Sequence, residues 1–324
     1  MAKILVTGAT GRLGSALLPV LLAKGHSVRA IIRPGSQKPL MRGVERFEFD
    51  LSSGKPPQGA YAGVQKVIHL SGLVGEYPYK ELISQNAYST QNLVAACPSS
   101  VENIVLASSI SIYGEYKGQL VDETFALRGE SQYGKSKLMA ETFAKEYAHA
   151  FPIVALRFGM IYGPGFTEGY YTVFERLMKG KMGIIGGGKN RLPLIHSEDA
   201  IEAILLSLDF HKIGFHAYNI VGAETATQEE VFSMAASALK VPVPNGRTPQ
   251  ILASIGIGAA QALSLAGLAK KPKISADNLR QLCSDRAYSG AKAQKELGFR
   301  ASVKLSDGIN QMARIFLSSR KEQG

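Results

Sequence analysis

The chain has 324 residues, a length that suits one α/β unit with a smaller lobe attached rather than two independent domains. Its 45% hydrophobic and 19% charged residues exclude an intrinsically disordered chain. Two cysteines, Cys97 and Cys283, do not form a disulfide framework or a spaced zinc-ligand set. The net charge of +11 is concentrated late, because residues 1–239 carry 23 Lys/Arg against 21 Asp/Glu and residues 240–324 carry 14 against 5. Such a segment suits an anionic small molecule, an anionic membrane surface or plain solvation. The lack of an arginine-rich or basic–aromatic tract argues against nucleic acid.

In chain order, short apolar runs alternate with helical patterns. Lys3–Thr7 reads as a strand and Arg12–Lys24 as a helix. Val28–Ile32 and Arg46–Phe49 read as the next strands, the latter ending at Asp50. Lys66–Leu70, Asn103–Ala107 and Ile153–Arg157 follow as strands, with helices over Tyr79–Ala96 and Ser131–His149 between them. Alternation of this kind predicts a doubly wound parallel sheet in an α/β fold. The strand begins almost at Met1, which leaves no room for a signal peptide and makes a reducing cytoplasm the expected compartment.

After Gly163-Pro164-Gly165 the alternation breaks down. The expected division is a dinucleotide-binding unit over 1–165 and a mainly substrate-binding lobe over 166–324, with some segments returning to the sheet. A helix opened by Ser197 is expected through Ala200–Leu208, and Thr227-Gln-Glu-Glu230 has the pattern of a capping box. The stretch Ile251–Ala269 carries no charge and precedes Lys270, Lys271 and Lys273. It reads as a core or lid helix, or as an interfacial helix giving peripheral membrane contact through 251–273. Its glycines, Gln261 and Ser264 argue against a true span.

Thr7-Gly8-Ala9-Thr10-Gly11-Arg12-Leu13-Gly14 follows the first strand and opens the first helix. Gly8 permits a tight turn, Gly11 lets backbone approach a pyrophosphate, and Gly14 allows close helix–strand packing. Thr7, Thr10, Arg12 and Leu13 belong to the same expected phosphate site. At the end of the second strand stands Arg33, where NAD enzymes place a carboxylate for the ribose hydroxyls. A guanidinium there suits a 2′-phosphate and favours NADP over NAD, with Arg12 as a second ligand. Asp50 is an expected acceptor for the adenine amino group, or alternatively a solvated turn residue. Leu51, Leu70, Ser71 and Gly72, which follow the third and fourth strands, complete the expected cofactor contacts.

Tyr133 and Lys137 stand four residues apart, on one face of a helix. A phenol with an ordinary pKa of about 10 is a poor base at neutral pH, and a nearby ammonium favours its phenolate. The pair follows a strand ending Leu106-Ala107-Ser108-Ser109, at the expected carboxyl edge of the sheet.

These motifs resemble the extended short-chain dehydrogenase/reductases, also described as the NAD-dependent epimerase/dehydratase family. Thr7–Gly14 is similar to the family's TGxxGxxG turn, Tyr133 and Lys137 to its YxxxK pair, and Ser109–Gly114 to its hydroxyl-led segment ending in YG. Asn86–Leu93 resembles the helix that supplies a relay or structural asparagine. Arg157–Gly165 and His196–Asp199 look like two later signatures. The resemblance implies that Ser109 holds the substrate oxygen, Tyr133 exchanges its proton, and Lys137 binds the nicotinamide ribose while lowering the Tyr133 pKa. Asn86 joins them as a catalytic candidate, with helix packing as its alternative role, and His196 is expected to be structural. A homodimer acting on a small molecule is the implied assembly.

Departures from the family pattern bear on the substrate. Ile110 and Ser111 occupy the Asp-Glu positions of the 4,6-dehydratases, which argues against dehydration. Met160 replaces the asparagine that touches nucleotide sugars, and Arg191 precedes His196 at a spacing slightly different from that of the pyrophosphate-binding arginine. Two alternatives remain open: a nucleotide-sugar epimerase, and a hydroxysteroid-dehydrogenase-like enzyme for a lipidic alcohol or ketone. A non-catalytic NADP sensor would not need Tyr133.

Overall fold

The structure is a computed structural model that describes residues 1–167, 169–265, 279–280 and 283–321. Its centre is a seven-stranded sheet built from β1 (Lys3–Thr7), β2 (Ser27–Ile32), β3 (Val44–Glu48), β4 (Lys66–His69), β5 (Asn103–Ser109), β7 (Pro152–Phe158) and β12 (Gly214–Ile220). The spatial order is β12-β7-β5-β4-β1-β2-β3, and every neighbouring pair is parallel. Successive side chains of a strand point to opposite faces, and both faces are covered. Ile4 and Val6 pack against α1 (Arg12–Ala23) and α6 (Ser197–Ser207), in a layer with Leu17, Leu21 and Ile204. Leu5, Val67 and Ile104 face the other way, toward Leu93 of α3 (Ser89–Ala95) and Ala144 of α4 (Gln132–Lys145). Strand β12, from the second half of the chain, closes one edge beside β7. The doubly wound parallel sheet expected from the alternation is the fold observed.

Local chemistry explains the element ends. Strand β5 runs two residues beyond the expected Ala107, so Ser108 and Ser109 remain in register with β7. The helix expected over Tyr79–Ala96 is not uniform: α2 (Tyr79–Leu82) passes into a π-helical stretch, Ile83–Tyr88, before α3. There the hydroxyls of Ser89 and Thr90 donate to the carbonyls of Gln85 and Asn86 at 2.5 and 2.6 Å, competing with the backbone ladder. Helix α6 opens at Ser197, as the sequence suggests, and is capped by His196, whose ring nitrogen accepts from the Glu198 N–H at 3.3 Å. In α7 (Gln228–Leu239) the capping box of Thr227 and Glu230 forms in full.

The second lobe holds three further helical segments, α5 (Tyr170–Met178), α7 and the terminal helix Leu305–Lys321, around Phe174, Leu192, Ala236, Met312 and Phe316. Short paired strands tie it to the sheet domain: β8 (Met160–Tyr162) with β11 (Leu194–His196), β10 (Arg191–Leu192) with β13 (Ala226–Thr227), and β6 (Leu120–Val121) with β15 (Ala287–Tyr288). Strands β9 (Ile184–Ile185) and β14 (Arg247–Thr248) pair at its rim. Helix α8 (Gln250–Leu265) takes up most of the uncharged stretch; residues 266–269 and the lysines at 270, 271 and 273 lie outside the described residues. Among the described residues no helix is long and apolar enough to cross a membrane.

Candidate active site

A single cleft of about 1940 Å³ runs along the carboxyl edge of the sheet and under the second lobe. Ordinary small-ligand pockets span about 300–1,000 Å³, so there is room for a dinucleotide together with a substrate. All of the expected cofactor residues except Thr7 line it.

The turn after β1 shows why glycines stand where they do. Gly8 has φ +69, and a Cβ there would lie 2.6 Å from the Leu70 carbonyl carbon and 2.7 Å from the Ser71 nitrogen. At Gly14 a Cβ would come within 2.2 Å of the Gly8 oxygen, so α1 can sit this close to the turn only without a side chain. No side chain caps α1 at Gly11, which leaves its first N–H groups and its positive dipole end on the cleft wall formed by Gly11, Arg12 and Leu13. This cradle fits a pyrophosphate. Thr7 lies behind it, fully buried, with its hydroxyl against His69 Nδ1 at 2.7 Å while accepting from the Ser71 N–H at 3.2 Å.

Further along the cleft wall, Ile32 ends β2, Arg33, Ser36 and Lys38 follow it, and Asp50 and Leu51 follow the neighbouring β3. One Asp50 oxygen accepts from the Ser52 N–H and hydroxyl at 2.9 and 2.7 Å, which fixes the carboxylate in a turn. Lys38 adds a second cation near Arg33; it sits in an exposed loop without periodic pattern, so no spacing in the sequence marks it.

The central part of the cleft carries Ser109, Tyr133 and Lys137. Ser109 ends β5 and caps the following turn: its hydroxyl accepts from the Ser111 N–H at 3.2 Å and donates to the Ser111 hydroxyl at 3.1 Å. Ser131 caps α4 by accepting from the Gly134 N–H at 2.9 Å. A Cβ at Gly134 would meet the Ser111 oxygen at 2.4 Å, and this close approach brings the first turn of α4, with Tyr133, onto the end of β5. Burial pushes the Tyr133 phenol up to about 12, while the hydroxyl of Ser109 pulls it the other way. Lys137 is 8% exposed and donates to the Ala107 carbonyl at 2.6 Å. Burial lowers it to about 8, against the opposing charge of Glu141. The sequence suggests a lowering of the Tyr133 phenol by this ammonium; in the structure burial dominates it, and the group that lowers it is Ser109.

Asn86 does not line the cleft. Fully buried in the π-helical stretch, it accepts from the Leu73 N–H at 2.7 Å and donates to the Leu73 carbonyl at 3.0 Å and to the Ser136 hydroxyl at 2.8 Å. It therefore ties the loop after β4 to α4, next to Lys137. Beneath α4, Ser108 donates to Glu141 at 2.6 Å, and Arg157 grips the same carboxylate at 3.0 and 2.8 Å. His196 is 2% exposed, beside Gln311 and the Tyr162 ring, and takes no part in the cleft.

Beyond Tyr133 the walls become apolar. Met160, Phe166, Tyr170, Val173, Met182 and Phe232 line this half with Ala253 of α8, and polar side chains among them are those of Thr172, Arg176, Thr248 and Arg286. Arg191 is held by Asp285 at 2.8 and 2.6 Å and does not line the cleft.

Comparison with known proteins agrees with this arrangement. The profile of the NAD dependent epimerase/dehydratase family matches residues 4–221. A 2-alkyl-3-oxoalkanoate reductase of Stenotrophomonas maltophilia is 27% identical over 96% of this chain and 98% of its own. A decarboxylating sterol-4-alpha-carboxylate 3-dehydrogenase of Bos taurus is 26% identical over 98% of this chain and 93% of its own. Among solved structures, MoeE5 in complex with UDP-glucose and NAD superposes with a TM-score of 0.77 at 26% identity, covering 100% of both chains. The chain is an enzyme of NAD(P)-dependent oxidoreductase or epimerase chemistry, and it belongs to the NAD-dependent epimerase/dehydratase family.

Proposed function

We propose that this enzyme is an NADP-dependent oxidoreductase that interconverts a carbinol and a carbonyl on an apolar substrate, with Tyr133 as its acid and base. The carrying observation is the continuity of one cleft from the glycine turn, past Ser109, Tyr133 and Lys137, to an apolar half walled by Phe166, Tyr170, Val173 and Phe232. Bound NADP supplies or accepts the hydride. The chain's own residues do the rest. Gly8–Gly14 hold the pyrophosphate, Arg33 and Lys38 face a 2′-phosphate, and Asp50 accepts from the adenine amino group. Ser109 orients the substrate oxygen. Tyr133, protonated at neutral pH because burial holds it near 12, donates to that oxygen during reduction and recovers a proton afterwards. Lys137 contributes its charge beside the reacting centre, and Asn86 steadies the loop and helix that carry it.

Met160 and the engagement of Arg191 by Asp285 favour this reading over a nucleotide-sugar epimerase. Relatives named for reducing an oxoalkanoate and for dehydrogenating a sterol support an apolar carbinol or ketone. The test is NADPH consumption against a panel of 3-oxo acids and a 3-oxosteroid, with conversion of UDP-glucose followed separately by chromatography of the nucleotide sugars and Tyr133→Phe as control. Full turnover by Tyr133→Phe, or conversion of UDP-glucose alone, overturns the reading.

Assembly and location complete it. Ile251, Leu252 and Ile255 of α8 are 73%, 59% and 63% exposed, on the helix whose Ala253 lines the cleft, which supports peripheral contact with a lipid surface. Flotation with anionic vesicles tests this, and absence of binding sinks it. Tyr79 and Tyr88 stand exposed on the helix that packs against α4, with Tyr88 stacked on Phe143, which supports a homodimer through that face. Light scattering that returns a monomer removes it. Free thiols at Cys97 and Cys283 suit a reducing cytoplasm.

A further inference from the structure

Arg286 is a cation on the wall of the apolar half of the cleft, and among the described residues no carboxylate forms an ion pair with it. Its residue is rigidly placed. Asp285, immediately before it, takes both ends of the Arg191 fork, the Arg286 N–H donates to the Arg191 carbonyl at 3.2 Å, and β15 follows at once, paired with β6. The guanidinium itself is poorly satisfied. Its Nε is buried without a hydrogen-bond partner among the described residues. Among the described residues its Nη2 meets the thioether of Met160, at 3.3 Å, and sulfur of this kind is a weak acceptor. Burial disfavours its charge, partly offset by Tyr288, Glu115 and Tyr170, of which Glu115 is engaged by the Ser284 hydroxyl. A buried guanidinium left in this state is costly, and a ligand anion is the group that would relieve it.

The neighbours say what kind of anion. Met160, Tyr170, Phe166 and Val173 line this half of the cleft beside it. A planar fork among apolar walls matches a carboxylate on a hydrocarbon body better than a hydrated, doubly charged pyrophosphate. We propose that Arg286 is the receptor for the carboxylate of an otherwise apolar substrate, so that the reacting molecule is a keto or hydroxy acid. For the reacting carbon this rests on the oxidoreductase reading given above; the anion site stands apart from it.

Equilibrium binding separates the two. Octanoate, its neutral isostere octanamide, and UDP are titrated by calorimetry onto the NADP⁺-loaded enzyme. Charge-assisted hydrogen bonds correspond to about a 10- to 100-fold change in affinity, so octanoate should bind at least tenfold more tightly than octanamide. Arg286→Met should remove that preference. Arg286→Lys, which keeps the charge but loses the fork, should retain part of it and serves if the methionine variant does not fold. Equal affinities in the wild type, no binding of either compound, or a preference that survives in Arg286→Met overturns the proposal. UDP binding tighter than octanoate and dependent on Arg286 overturns it in favour of a nucleotide diphosphate. If octanoate binds as expected but no oxo acid consumes NADPH, the anion site stands and the oxidoreductase reading fails.

Discussion

The two halves of the cleft are built by different means. The cofactor half is made of backbone: a glycine turn whose missing side chains leave room, an uncapped helix end, and strand termini in parallel register. The substrate half is made of side chains brought from separate places, Met160 from β8, Tyr170 and Val173 from α5, Phe232 from α7 and Arg286 from beside β15. Backbone-built sites tolerate little change and serve one ligand class, whereas side-chain-built sites can be re-lined while the scaffold stands. Tyr133 and Lys137 lie at the seam between them.

The contrast can be broken or sharpened by experiment. Tyr133→Phe should lower kcat by about 10²- to 10⁴-fold, the usual range for loss of a positioned acid. It should leave the NADPH dissociation constant nearly unchanged, because the glycine turn and the Arg33 and Lys38 side chains would carry most of the cofactor's binding; fluorescence titration beside steady-state kinetics separates these effects. Glu141→Gln, beneath α4, leaves Arg157 at 3% exposure without its charged partner and should cost about 3–5 kcal/mol, read by urea unfolding. A smaller loss would mean that the cofactor half does not depend on its buried supports. Arg33→Ala should weaken NADPH by about 10- to 100-fold while sparing NADH, since only a 2′-phosphate needs the guanidinium.

The pH profile has a defined sign. Tyr133, near 12, stays protonated through neutral pH, while Lys137, near 8, loses its proton first. Reduction should therefore be flat through neutrality and fall above about pH 8. Lys137→Arg should move that fall upward, and a profile that does not move assigns the limb to another group. The smallest effect belongs to the substrate half. Met182→Ala should weaken an apolar substrate by about 3- to 30-fold, on the order of 0.8 kcal/mol for each methylene withdrawn from contact. It should barely shift Tm, because Met182 stands at the edge of its core cluster.

What the sequence showed in advance follows the same division. Gly8, Gly11 and Gly14 are contiguous in the chain, so their spacing carries the geometry of the turn, and Tyr133 and Lys137 share a helix face by periodicity alone. Arg286 could not be read that way. It is far along the chain from Met160 and from Tyr133, and only the pairing of β15 with β6 and the lock between Asp285 and Arg191 bring it to the cleft. The π-helical stretch was equally hidden, since an amphipathic pattern does not register one extra residue in a turn. Asn86 therefore read as a possible member of the reacting set, while the fold places it behind the wall, joining loop and helix.

That junction has a mechanical consequence. Thr7 at the end of β1 meets His69, His69 meets Thr90 at 3.0 Å, Thr90 donates to the Asn86 carbonyl, and Asn86 donates to Ser136 on α4. Burial holds the His69 imidazole at about 3, with the Lys137 charge acting in the same direction, so the link does not ionise anywhere in the working range of an ordinary enzyme. The strand that presents the phosphate turn and the helix that presents the phenol thus behave as one girder. The phosphate turn and the phenol are therefore placed relative to each other before any dinucleotide binds.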